Sequence, residues 1–132
     1  MSSESLHEKA EILGEQVIDT HRAIVSVMEE LEAVDWYNQR AKATSNPELR
    51  AILEHNRDEE KEHAAMALEW LRRSDATFAR HLKTFLFTDG PITEIEQEEI
   101  HGAGAGDAAT DAASAGDGSL GIGSLRDAGG DK

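Results

Sequence analysis

The sequence predicts an all-α chain: an antiparallel hairpin of two long helices plus a short C-terminal helix, dimerising into a four-helix bundle, with a disordered C-terminal tail. Three observations predict it. Apolar residues recur at helical spacing from Leu6 to about Ala43, with no proline among them. The run Thr44, Ser45, Asn46, Pro47 then stops one helix and starts the next. Residues 102–118 are almost entirely Gly, Ala, Ser, Thr and Asp, without a large apolar side chain to offset the entropy of ordering the backbone.

In the first helix Leu6, Ala10, Leu13, Val17, Ile24, Met28 and Leu31 stand at steps of three, four or seven, which makes one side apolar. At about 1.5 Å per residue the stretch would extend roughly 57 Å, a length normal for a bundle. Gly14 is expected to weaken this helix only slightly. Asn46 is a natural N-cap and Pro47 a natural first helical residue. The second helix runs from Pro47 to about Arg73, with Leu49, Leu53, Ala64, Ala67 and Leu71 on one side and Arg72 and Arg73 in its last turn. Ser74 and Asp75 read as a cap before a third, shorter helix carrying Phe78, Leu82, Phe85 and Leu86. Asp89, Gly90 and Pro91 make a turn, after which Pro91 to Ile100 suits one or two acidic helical turns. The chain therefore divides into a helical half-bundle over 1–101, a flexible linker over 102–118 and an apolar patch over 119–126. Leu120, Ile122 and Leu125 anchor that patch, and a linker ending in such a patch has the form of a tethered docking peptide.

Charge and composition narrow the function. The 132 residues hold 27 Asp and Glu against 13 Lys and Arg, a formal charge of −14, which disfavours nucleic acid and anionic membranes as partners and favours cations. The excess belongs to the folded part, since residues 1–101 carry 22 of the acids and 11 of the bases. With no cysteine there is no disulfide, zinc thiolate or thiol chemistry. No N-terminal stretch resembles a secretion signal and no run approaches the roughly 18 apolar residues of a membrane span, so a cytoplasmic protein is expected.

Two acids sit where core residues belong. Glu30 has Ala23, Val27, Val34 and Tyr37 at helical steps, and Glu60 has Leu53, His63, Ala64, Ala67 and Leu71. Burying a carboxylate costs several kcal/mol unless it is paired or metal-bound, so these positions ask for a cation. Glu60 and His63 form E-x-x-H, whose three-residue spacing lets an oxygen and a nitrogen reach one ion, a mixture suited to iron or manganese. Di-iron bundles take one Glu from each of two helices and E-x-x-H from each of two others. This chain holds half of that set, and a twofold pair of hairpins would supply the whole, placing Glu30, Glu60 and His63 of each copy around the metal. Against this, E-x-x-H arises readily by chance in a Glu-rich helix. Glu29, Glu32, Asp58, Glu59 and Glu62 read first as a solvated acidic face that attracts cations. Tyr37, two turns beyond Glu30, is placed to hydrogen-bond a ligand, while Trp36 and Trp70 read as interface or core aromatics. His7, His21, His55, His81 and His101 show no partner spacing.

The segments EELEAVDWYNQR at 29–40, HNRDEEKEHAAMALEWLRR at 55–73 and SLGIGSLR at 119–126, in this order, resemble the encapsulated ferritins over nearly the whole chain. The resemblance implies a ferritin-like four-helix bundle completed by dimerisation, with dimers assembled as a ring of five, a decamer. It implies a ferroxidase that oxidises Fe(II) to Fe(III) with dioxygen at a di-iron centre across the dimer. Glu30, Glu60 and His63 match its metal ligands, Tyr37 a group beside them and Trp36 part of their surround. Glu29 and Glu32 match an outer acid pair through which metal enters, where calcium or another divalent cation also fits. SLGIGSLR is similar to the cargo peptide that binds the inner wall of an encapsulin shell, which places the protein in that nanocompartment in the cytoplasm. The rival readings are a non-catalytic metal-binding helical cargo or scaffold protein, and an interaction module whose Glu30 and Glu60 are hydrated interface acids.

Overall fold

The computed structural model describes residues 5–113, with side chains described as far as residue 102. Four helices follow one another: α1 over Ala10–Ala43, α2 over Pro47–Ser74, α3 over Ala76–Phe85 and α4 over Ile92–Ala113. Residues up to Leu86 form one unit and those from Phe87 a second. In the first unit α1 and α2 pack along their lengths as a hairpin, and α3 packs on α2. Among the described residues no helix is long and apolar enough to cross a membrane.

The hairpin turn is built from local chemistry. Thr44 ends α1 with extended backbone while its N–H donates to Arg40 O at 3.0 Å. Asn46 caps α2: its Oδ1 accepts from Leu49 N at 3.0 Å, and Pro47 follows at a position whose missing N–H costs no hydrogen bond. Arg50 reaches back from α2, donating from Nε to Ala41 O at 3.1 Å and from Nη2 to Thr44 O at 2.6 Å. It thereby satisfies carbonyls that the end of α1 leaves without helical partners. At the far end Glu69 accepts from both Arg72 and Arg73, and Asp75 caps α3 by accepting from Phe78 N at 2.9 Å. The pair of guanidinium groups holds the Glu69 carboxyl down at about 2, with the Arg72 hydrogen bond the largest cause.

Two expectations are corrected. Gly14 does more than weaken α1: at φ 77° and ψ 164° it lies outside helical geometry and separates a first turn from the long helix that follows. Only glycine adopts that conformation without steric cost. Past the Pro91 turn, α4 starts at Ile92 and continues beyond Ile100 as far as Ala113, so the stretch read as a linker begins with helical backbone. The physical reason is composition, because alanine is the strongest helix former and alternates there with the glycines that oppose it. The rest of that stretch and the 119–126 patch lie outside the described residues.

Side-chain burial is sparse. Among the described residues Ala41, Ala64 and Leu71 are the buried apolar ones, whereas Ile24, Met28, Leu31, Ile52, Met66 and Trp70 remain exposed on the hairpin. Ile24, Met28, Leu71 and Phe78 also line an apolar groove of about 660 Å³ among α1, α2 and α3. So much apolar surface in water is characteristic of a chain that associates through it.

Replacing Gly14 with Ala forces a Cβ into a conformation L-residues avoid and is expected to cost on the order of 1–3 kcal/mol of stability, read by denaturant unfolding. The Glu69 cluster predicts a pH effect as well. A depressed carboxyl contributes stability that is complete above its ordinary value of 4.5 and disappears as pH falls through about 2. Glu69→Gln should therefore melt below the parent at pH 7, with the gap closing as acid approaches pH 2 in thermal unfolding followed by circular dichroism.

Candidate metal centre

Glu30 comes from the middle of α1 and Glu60 and His63 from the middle of α2. A donor atom from each lies within 4.8 Å of the others. His63 Nδ1 stands 3.0 Å from Glu60 Oε2 and 3.8 Å from Glu30 Oε2. The E-x-x-H spacing puts the first pair one helical turn apart on α2, and the hairpin register brings Glu30 opposite them. Their side chains are only partly exposed, 29% for Glu30 and 23% for Glu60.

The electrostatics follow from that crowding. Glu30 is pushed up from the ordinary carboxyl value, chiefly by its hydrogen bond with Glu60, then by burial and by the Glu60 charge. Glu60 is held down by the same hydrogen bond and by His63, so it is the more readily ionised of the two. His63 is raised, first by the Glu60 hydrogen bond and then by the charge of Glu60 and Glu30. Two carboxylates and an imidazole this close hold a shared proton or a cation. They offer oxygen and nitrogen donors to a hard or borderline metal ion such as iron or manganese.

Among the described residues the group of possible ligands consists of these three, without Glu29 or Glu32. Glu29 is exposed on α1, and its charge adds to the upward shift of Glu30 without its side chain joining the cluster. Glu32 is exposed on α1 as well. Tyr37 and Trp36 flank Arg40, whose guanidinium carbon lies 5.6 Å from the Tyr37 ring centre and 6.0 Å from that of Trp36. Leu120, Ile122 and Leu125 fall outside the described residues. One histidine reading is corrected: His55 does have a partner, with Nε2 3.0 Å from Glu59 Oε1 one turn along α2.

Sequence reasoning missed Arg57, Lys61 and Asn38, and read Asp58 only as part of a solvated acidic face. Arg57 donates from Nη1 to Asn38 Oδ1 at 3.0 Å, joining α2 to α1 one turn from Glu60, and from Nε to Asp58 Oδ1 at 3.0 Å. Lys61 also donates to Asp58 Oδ1, at 3.0 Å. These two cations hold Asp58 down at about 2, Arg57 by the larger effect. A cation three residues before Glu60, on the same side of the helix, was the available signal.

Fold and site together define a class: the half-bundle form of a ferritin-like protein, with a carboxylate and histidine group on the seam between its two long helices. The chain belongs to the EncFtn-like family, whose model matches residues 5–89. This agrees with the resemblance to encapsulated ferritins. An encapsulated ferritin-like protein of Rhodospirillum rubrum is 67% identical over 126 residues, covering 95% of this chain and 90% of the relative. A ferritin-like protein of Thermotoga maritima is 52% identical over 101 residues, covering 76% of this chain and 89% of that one. The crystal structure of protein ne0167 from Nitrosomonas europaea matches with a TM-score of 0.65 at 58% identity, covering 67% of this chain and 97% of that one.

A proton on His63 competes with metal, and its neighbours strengthen that proton's hold. Divalent cation affinity should therefore climb as pH rises above the ordinary histidine value of 6.5. Cobalt titration at several pH values should show the climb in the parent and a flatter profile in His63→Gln.

Proposed function

We propose that this chain is a ferroxidase that oxidises Fe(II) to Fe(III) with dioxygen at a di-iron centre shared by two copies. Its product is stored as mineral inside an encapsulin nanocompartment. The grouping of Glu30, Glu60 and His63 within 4.8 Å carries the reading. One copy supplies three donors, too few to enclose two ions, and a twofold pair supplies six. The exposed apolar residues of the hairpin give the physical reason for copies to associate, and a closed ring of five dimers would require a second associating surface on each.

Iron here is substrate rather than resident cofactor. Two ferrous ions held side by side each give up one electron, so dioxygen receives two together and no one-electron-reduced product escapes. Glu30, Glu60 and His63 would hold the iron, and because Glu60 is held down while Glu30 and His63 are raised, Glu60 is the carboxylate that gives up a proton most readily to make room for metal. Glu29 and Glu32 raise the local concentration of cations and serve as the outer pair through which iron enters, with calcium or another divalent ion able to stand there. Tyr37 and Trp36, which flank Arg40 within one copy, would border the site in the assembled pair. Leu120, Ile122 and Leu125 dock the chain on the shell wall, in keeping with the word "encapsulated" in the name of the Rhodospirillum rubrum relative.

Aerobic oxidation of ferrous iron, followed by absorbance of the ferric product, tests this directly. The parent should oxidise several equivalents per subunit, and Glu60→Ala should fall to the buffer rate while keeping its helical content and assembled mass. Equal background rates for both would leave the rival reading, a non-catalytic metal-binding cargo or scaffold protein.

A further inference from the structure

Three acids stand in a row on α2, and the structure gives each a different partner. Glu59 takes His55, with 3.0 Å between Oε1 and Nε2. Asp58 takes both nearby cations: Arg57 through Nε at 3.0 Å and Nη2 at 3.4 Å, and Lys61 through Nζ at 3.0 Å. Glu60 is left to His63 and Glu30.

That division is not the one helical spacing alone would favour. Arg57 stands three residues from Glu60 on one side and three from Glu54, whose charge it also feels, on the other, separations at which opposite charges on a helix meet, whereas Arg57 and Asp58 are adjacent and face different ways. The guanidinium nevertheless points to Asp58 with two of its nitrogens while its third donates to Asn38 on α1. Arg57 is shielded, its side chain only 22% exposed, so a shift in its allegiance would be felt at short range. An arginine on Glu60 would occupy the oxygens that a metal ion needs.

We infer that Asp58 is a positioning residue: by holding Arg57 against Asn38 and away from Glu60, it keeps the Glu60 carboxylate open to metal. Asp58 touches neither metal nor substrate and acts through Arg57. Lys61, one residue after Glu60, faces away from it and is the bystander in the same cluster.

The inference rests on the Glu30, Glu60 and His63 site proposed above, and the test separates the two. Anaerobic cobalt titration of the full chain is run on the parent, Glu60→Gln, Asp58→Asn, and Asp58→Asn combined with either Arg57→Gln or Lys61→Gln, with helical content checked by circular dichroism. Supporting neighbours of metal ligands typically change affinity about 10–100-fold, and Asp58→Asn should weaken binding by roughly tenfold or more. Adding Arg57→Gln should restore most of that loss. Adding Lys61→Gln removes the same charge and should restore little, which separates local capture of Glu60 from a change in net charge. Unaltered binding in Asp58→Asn, failure of Arg57→Gln to restore it, or equal restoration by Lys61→Gln would each overturn the inference. Binding that Glu60→Gln leaves intact would instead overturn the site itself. Should Asp58→Asn unfold, Asp58→Glu with and without Arg57→Gln asks the same question with the charge retained.

Discussion

The crowding of Glu30 and Glu60 across the seam of a two-helix hairpin is the constraint on which the rest of the structure depends. Two carboxylates within 4.8 Å of each other and of His63 repel unless a proton or a cation stands among them. The hydrogen bond between them expresses this, raising Glu30 and lowering Glu60. Such a group is relieved of its repulsion by a proton or by a cation, and the two compete for the same oxygens and nitrogen.

Holding that crowding in place falls to polar ties rather than to a core. A hairpin of two helices has little interior, and Ala41, Ala64 and Leu71 are its buried apolar residues among those described. Register is set instead by Arg50, which hooks the α1 carbonyls at the turn, and by Arg57, which bonds Asn38 one turn from the site. The same shortage of interior leaves Ile24, Met28, Ile52 and Trp70 facing solvent. On the proposed reading, association of copies would do two jobs at once, covering apolar surface and doubling the ligand set. Under that proposal, completion of the site would coincide with burial of the surface, linking assembly to function through one interface.

Charge is distributed to the same end. In the acid-rich run on α2, arginine, lysine and histidine are matched to Asp58 and Glu59, so Glu60 is the carboxylate left facing the seam. Acids outside the cluster, among them Glu29, Glu32 and Glu62, contribute to a formal charge of −14 that attracts cations without joining the Glu30, Glu60 and His63 group.

Features that arise from near neighbours were legible in the sequence. Asn46 and Pro47 announced the turn, Asp75 announced the start of α3, and E-x-x-H announced an oxygen and a nitrogen on one side of α2, because capping and three-residue spacing are local geometry. Glu30 drew notice by standing among apolar residues. What only the tertiary structure decided was the pairing of α1 with α2. The distance from Glu30 to His63, and the bond between Asn38 and Arg57 nineteen positions apart, depend on how one helix slides along the other, which spacing within either helix does not specify. The break at Gly14 and the full extent of α4 went unread for a related reason. A glycine's sequence does not disclose its φ, and an alanine and glycine tract sits so near the balance of helix and coil that composition alone does not say how far the helix from Ile92 will run.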